Sequence, residues 1–192
     1  LSFSACNMVQ FAEEIFLSFQ TLALDKQIVY KFESNVEHLE VYFDKDHLEK
    51  VLFNLLSNAF KFTAEAGKIT FTIEAAENNV SIKVTDNGRG ISQKNIEQLF
   101  TKFFQVYNEE VSTSGYGIGL ALSKNIVELH HGKITVVSDI EDEKNKQTTF
   151  TVTLPLGADH LDPNTIIPEY MNSDNPIHYY LQSAANDIIA EA

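Results

Sequence analysis

Asn54, Asn58 and Lys61 fall on one line of the stretch NLLSNAFKF at residues 54–62, since helical residues three and four apart share a face. An asparagine side-chain oxygen is a hard, neutral ligand suited to Mg2+, which keeps several waters and shares the rest of its shell with phosphate oxygens. Lys61, one turn beyond Asn58, could meet a phosphate oxygen. The plainer alternative is that the asparagines cap a loop or face solvent. Leu48, Val51, Leu55 and Phe62 form a neighbouring apolar stripe, so this helix has one face for a core and one polar line left to explain.

Three more places break the core-building pattern toward phosphate or purine chemistry. In Asp86-Asn87-Gly88-Arg89-Gly90-Ile91, the glycines permit a flat ligand to lie close to the chain. Asp86, at the end of a strand-like run, is a pure acceptor when ionised and could take a proton from an exocyclic amine such as adenine N6. Ile91 would supply an apolar floor; the alternative is an ordinary turn. In Gly115-Tyr116-Gly117-Ile118-Gly119-Leu120, three glycines on alternate positions open a helix and leave amides free to point at an anion. It follows no strand, which disfavours a dinucleotide-binding fold; the alternative is a glycine-rich hinge. In FTKFFQ, residues 100–105, the aromatics read most simply as core anchors, and Lys102 could reach a phosphate if the segment closes as a lid.

The elements that must position these residues can be read coarsely. A helix is expected over about 7–23, strands at 28–33 and 39–43, and a helix from about 46 to 62. KITFTIEAA at 68–76 and VSIKVTD at 80–86 alternate around a Glu77-Asn78-Asn79 turn, which signals a hairpin. Short helices at 93–100 and 119–130 and strands at 133–138 and 149–154 complete the pattern. Adjacent strands separated by helices predict a mixed, mostly antiparallel sheet with helices on one face.

Composition narrows the function classes. A chain of 192 residues with 44% hydrophobic content supports one core, and no apolar run reaches the roughly 18 residues of a membrane span. A soluble domain in a reducing, cytoplasmic setting is expected, since the single Cys6 cannot make an internal disulfide. The net charge of -13 argues against nucleic acid as the main ligand. From residue 157 on there is no Lys or Arg, and three of the four prolines lie there. Residues 157–192 therefore read as an acidic tail or linker, with one short helix expected at 178–191.

In this order, NLLSNAFKF, DNGRGI, FTKFFQ and GYGIGLALSKNIVELHHGKI resemble the N, G1, F and G2 boxes of the catalytic and ATP-binding domain of sensor histidine kinases. The resemblance covers roughly residues 1–156, with TTFTVTLP at 148–155 as the last strand. It implies the Bergerat fold, an α/β two-layer sandwich shared with gyrase, heat-shock chaperone and mismatch-repair ATPases, and ATP with Mg2+ as cofactors. By that resemblance Asn54, Asn58 and Lys61 stand nearest the chemistry, with Asn58 the Mg2+ ligand and Lys61 toward the phosphates. Asp86 reads adenine, Gly88 and Gly90 allow close approach, Phe62 and Ile91 contact the base, and Thr149 supports it through water. Gly115, Gly117 and Gly119 form the flexible lid on the triphosphate side, and Lys102, Ile118 and Leu120 count among the nucleotide-binding residues.

A glutamate that activates water stands in the gyrase and chaperone families where this chain has Asn54. An amide cannot accept a proton at neutral pH, so efficient hydrolysis is not expected. The resemblance implies donation of the γ-phosphate to a histidine on an upstream dimerisation hairpin. None of the six histidines has that motif context. A downstream receiver domain is the expected partner, with a monomer when the domain is isolated, no direct membrane contact, and the intracellular part of a membrane-bound bacterial sensor as setting. Alternatives are a degenerate nucleotide-binding regulatory module or an ATP-hydrolysing machine. The chain departs from the family with Tyr116, with His131 where glycine is frequent, and with a glycine-poor segment at 139–147.

Overall fold

The computed structural model describes residues 1–101, 118–140 and 146–167. Strand β1 (Ser4–Asn7) runs into helix α1 (Met8–Ser18), and the Asn7 side chain caps that helix by accepting from the Val9 N–H at 3.2 Å. A break at Phe19 separates α1 from α2 (Gln20–Asp25), so the helix expected over 7–23 is two. There follow β2 (Val29–Ser34), β3 (Glu40–Phe43), α3 (Lys45–Phe62), β4 (Lys68–Ala75), β5 (Asn79–Asp86) and the short α4 (Gln93–Ile96). Helix α5 (Gly119–Leu129), β6 (Lys133–Asp139), β7 (Gln147–Pro155) and a 3-10 turn (Pro163–Thr165) complete the described chain.

The main sheet has the order β2-β4-β5-β7-β6, with β2 parallel to β4 and every other pairing antiparallel. Strands β1 and β3 form a separate two-stranded sheet. Alternation decides the faces. Ile69, Phe71 and Ile73 of β4, Val80, Ile82 and Val84 of β5, and Phe150, Val152 and Leu154 of β7 are all buried. Threonines and lysines at the intervening positions make the other face polar. Helix α3 buries Leu48, Val51, Leu52, Leu55, Leu56, Ala59 and Phe60. That spacing of three and four turns one side of the helix onto the sheet, and each of its buried Leu, Val and Phe side chains contributes roughly 1.5–3 kcal/mol. The result is the expected two-layer sandwich. No described helix is long and apolar enough to cross a membrane.

Two features tie the ends of elements together. Asp44 caps α3, accepting from the His47 N–H at 3.0 Å, while its own N–H donates to Nε2 of His130 at the end of α5, at 3.1 Å. The second feature is the course of residues 157–167, which composition reads as the start of a tail. Leu161 is buried, Phe3 donates to the Thr165 carbonyl at 2.8 Å, and the Ile167 N–H donates to the Phe3 carbonyl at 2.8 Å. This stretch lies beside the first residues as a strap. Residues 168–192, including the expected helix at 178–191, lie outside the described residues.

Candidate functional site

Helix α3 is the spine of the candidate site. Near its C-terminal end the Phe62 carbonyl accepts from the Arg89 N–H at 3.3 Å. A Cβ on Gly88 would stand 2.3 Å from that carbonyl oxygen and 2.9 Å from Asp86 Oδ1. No side chain other than hydrogen fits there, so the glycine lets the loop after β5 press onto the helix. Gly90 adopts φ +75°, and a Cβ on it would meet Ile140 at 2.3 Å, so position 90 requires glycine on both counts.

Asp86 is 7% exposed and sits on the helix-covered face of the sheet, where its Oδ1 accepts from the Gly88 N–H at 2.9 Å. Burial pushes its carboxyl up to about 6, a rise that the Gly88 hydrogen bond partly opposes. The carboxylate thus carries its charge at neutral pH with a single backbone donor among the described residues, and lone pairs remain for a ligand N–H. Ile91 is half-buried against the core, and its N–H donates to Ser138 Oγ at 2.9 Å.

The α5 end of the site meets α3 eight residues earlier. The Asn54 amide donates to Ser123 Oγ at 3.0 Å, and a Cβ on Gly119 would stand 2.4 Å from Asn54 Oδ1. The structure therefore gives Asn54 a partner not foreseen in its sequence: it joins two helices. Asn58, half-buried one turn on, makes no side-chain hydrogen bond among the described residues. Lys61 is half-buried, with its Nζ 5.9 Å from the Phe62 ring centroid. Ile118 and Gly119 are exposed and Leu120 is half-buried at the start of α5. Lys102, Gly115 and Gly117 lie outside the described residues.

Thr149 faces away from the loop it was expected to support. Its hydroxyl lies 3.0 Å from Thr85 Oγ1 on the open face of the sheet, away from Asp86. Thr148 pairs with Asp86 in the strand register, is 3% exposed on the same face, and has its hydroxyl 2.8 Å from Ser138 Oγ. One step along a strand reverses the face, so the threonine beside the carboxylate is Thr148. The signal was present in the alternation, because Thr148 shares parity with the buried Phe150, Val152 and Leu154. Ser138 and Arg89 also border this loop without a sequence signal of their own; Arg89 places its guanidinium carbon 4.4 Å from the Phe62 ring centroid.

The chemistry of the donors limits what they could hold. No group of three His, Cys, Asp or Glu suited to a metal occurs among the described residues. A cation here would have Asn58 as a neutral ligand and would need water and phosphate oxygens to complete its shell, which fits Mg2+ better than a soft metal. A cavity of about 50 Å3 between α1 and the start of α3, lined by residues including Phe11, Ile15 and Glu49, contains none of the candidate residues.

Known proteins share this fold. The family model described as histidine kinase-, DNA gyrase B-, and HSP90-like ATPase matches residues 43–158. Histidine kinase P4 of Formosa agariphila is 38% identical over 189 residues, which is 96% of this chain but 14% of that protein. The adaptive-response sensory kinase SasA of Prochlorococcus marinus is 36% identical over 146 residues, or 76% of this chain and 38% of the relative. The chain thus spans well under half of the length of either. Among solved structures, the nucleotide-free catalytic domain of histidine kinase ThkA superposes with a TM-score of 0.70 at 28% identity, covering 81% of this chain and 99% of that one. ThkA in complex with the response regulator TrrA gives a TM-score of 0.66, also at 28% identity, over 81% of this chain and 42% of that one.

The helix-backed sheet and the matched residues define an ATP-binding α/β sandwich. The chain belongs to the histidine kinase-, DNA gyrase B- and HSP90-like ATPase family, and the relatives it matches are sensor histidine kinases.

Proposed function

We propose that this chain is the ATP-binding catalytic domain of a two-component sensor histidine kinase, holding Mg·ATP and presenting its γ-phosphate to a histidine on a dimerisation hairpin upstream in the longer protein. One observation carries the reading: α3 touches both the Asp86 loop at Phe62 and the start of α5 at Asn54. Those contacts are eight residues apart, about 12 Å of helix rise, comparable to the length of an extended nucleoside triphosphate. Asn58 stands midway.

In this reading Asp86 accepts a hydrogen bond from the exocyclic amine of adenine, with Thr148 beside it able to anchor a water between carboxylate and ring. Phe62 and Ile91 flank the base. Asn58 would hold Mg2+, which would offset charge on the phosphate oxygens. Lys61 meets a phosphate oxygen, and the amide of Gly119 at the start of α5 faces the triphosphate; Lys102, Gly115 and Gly117 are assigned to phosphate binding by the family resemblance alone. Phosphoryl transfer depends on such positioning and charge stabilisation rather than on covalent chemistry by the protein.

Asn54 supports transfer over hydrolysis. Its amide is engaged with Ser123, and an amide offers no general base for water. The receiver domain of a response regulator, located downstream or in a separate protein, would take the phosphate from the histidine. A cytoplasmic setting suits an ATP-dependent domain.

Titration calorimetry with a nonhydrolysable ATP analogue and Mg2+ tests the binding half of this reading. Asp86→Ala should abolish detectable binding; retained affinity would remove the adenine assignment. Mixing the chain with a separately made acceptor hairpin and labelled ATP tests transfer. Label on the hairpin supports the kinase, whereas rapid phosphate release by the chain alone would replace it with a hydrolase.

A further inference from the structure

We propose that Arg89 is a positioning residue for the purine, acting through Phe62; this rests on the nucleotide-binding reading above. Arg89 is the sole arginine among the 14 Lys and Arg residues of a chain with net charge -13. It stands between Gly88 and Gly90, and it grips Phe62 twice. Its N–H donates to the Phe62 carbonyl at 3.3 Å, and its guanidinium carbon lies 4.4 Å from the ring centroid. No carboxylate pairs with that guanidinium among the described residues. In so acidic a chain, an arginine spent on a ring rather than on an acid calls for a reason.

Arginine suits the task because its planar, weakly hydrated cation stacks on an aromatic face, which a compact ammonium on a flexible stem does less well. Lys61 comes only to 5.9 Å from the same centroid. Phe62 is the last residue of α3 and half-buried, so its ring lacks the enclosure that would fix its rotamer. The guanidinium stacks on the ring and limits that freedom, so that the ring can act as a fixed wall for a flat ligand. A cation on one face also draws π density toward itself, which makes the far face a better partner for an electron-rich purine. Asp86, three residues before Arg89 on the same loop, reads the base edge, and the Arg89-backed ring reads its face.

The test is titration calorimetry at fixed Mg2+ with two probes, a nonhydrolysable ATP analogue and inorganic tripolyphosphate. The unaltered chain is compared with Arg89→Ala, Arg89→Lys, Phe62→Leu and the Arg89→Ala/Phe62→Leu double variant, each first shown to unfold cooperatively. Arg89→Ala should weaken the ATP analogue about two- to fivefold and leave tripolyphosphate unchanged. Arg89→Lys should restore only part of the loss, and Arg89→Ala should cost nothing further once Phe62 is Leu. Equal loss with tripolyphosphate would make Arg89 a phosphate ligand and overturn the proposal, as would unchanged affinity for the ATP analogue. Failure of the nucleotide-binding reading itself gives a different result, in which the unaltered chain binds neither probe.

Discussion

The side-chain amide of Asn54 in α3 donates to the hydroxyl of Ser123 in α5 at 3.0 Å, and its oxygen lies 2.4 Å from the place a Cβ on Gly119 would occupy. The two helices bounding the proposed triphosphate end are therefore locked through one amide. Gly119→Ala should force Asn54 to turn and break that bond, destabilising the domain by about 1–3 kcal/mol and lowering ATP-analogue affinity. Asn54→Ala in the Gly119→Ala background should remove the clash and recover part of the stability. Denaturant unfolding of the single and double variants measures this, and purely additive losses would show that the two positions are not coupled.

Asp86 sets stability against binding. Because burial raises its carboxyl from an ordinary 3.8 to about 6, the folded state holds a proton more readily than the unfolded one between those values. Its contribution to stability is therefore present at low pH and lost as pH rises through about 6. Asp86→Asn should leave stability nearly unchanged below about pH 4 and raise it by about 1–3 kcal/mol at about pH 8. Affinity for the ATP analogue should run the other way, falling in the unaltered chain as pH drops below about 6, because the protonated acid loses acceptor capacity. Thermal melts and titrations across that window check both halves, and a pH-independent stability difference would contradict the burial argument.

Thr148 and Thr149 offer a paired test of which sheet face carries the base. Thr148→Val removes the hydroxyl next to Asp86, together with the hydrogen bond to Ser138, and should weaken ATP-analogue binding by about tenfold, the size of one lost hydrogen bond. Thr149→Val acts on the opposite face and should leave binding unchanged. If Thr149→Val were the damaging substitution, the register between β5 and β7 would be wrong in function.

Much of this architecture is legible along the chain. The pairs KITFTIEAA and VSIKVTD alternate so regularly that strand type, face and the position of Asp86 at a strand end follow from period alone. Helix α3 is equally plain from its three-and-four spacing. Other features have no local signature. Strand β1 is four residues long and exists only beside β3, whose Val41 and Phe43 face Cys6 and Ser4 across the ladder. The parallel pairing of β2 with β4 depends on α3 crossing between them. Asn54 reads as a ligand because it shares a line with Asn58, yet its neighbour Ser123 lies 69 residues away. The role of a polar residue is fixed by whichever partner the fold brings to it, and separation in the chain hides that partner.

His130 gives the domain a second pH response, of opposite sign. Its Nδ1 donates to the Ile126 carbonyl at 2.8 Å, so Nε2 is free of hydrogen and accepts from the Asp44 N–H at 3.1 Å. Burial foremost holds its pKa below the ordinary 6.5, against the pull of the Ile126 carbonyl and the Asp44 carboxylate; His47 also faces it, and the Phe3 ring packs edge-on at 5.3 Å. The stabilisation is full above 6.5 and is lost as pH falls through the lower folded value. Asp44 titrates separately: burial pushes it up, but hydrogen bonds from Ser2 and His47 outweigh this and hold it below 3.8, so its contribution is lost only at still lower pH. His130→Phe should cost about 1–3 kcal/mol at about pH 8 by leaving the Asp44 N–H without an acceptor. It should also flatten the stability profile just below pH 6.5, as pH-resolved thermal unfolding would show.

The strap at 157–167 makes the last prediction. Leu161 is 6% exposed, and two backbone hydrogen bonds of 2.8 Å bind Phe3 between Thr165 and Ile167. Phe3 in turn packs on His130, which holds the N-terminal cap of α3, so strap, α5 and α3 form one connected set of contacts. Burying one leucine is worth about 1.5–3 kcal/mol, and each net hydrogen bond adds about 1 kcal/mol. The form ending at residue 156 should therefore be about 3–5 kcal/mol less stable than the form ending at residue 167, on those two principles together. Leu161→Ala in the full chain should lose about 2–4 kcal/mol. Because the contacts run to the cap of α3 rather than to Asp86, the shortened protein should still bind the ATP analogue at low temperature while unfolding at lower denaturant. Equal denaturant midpoints for the forms ending at 156 and 167 would reduce the strap to a surface contact, and the stability of α3 would then have to come from the core alone.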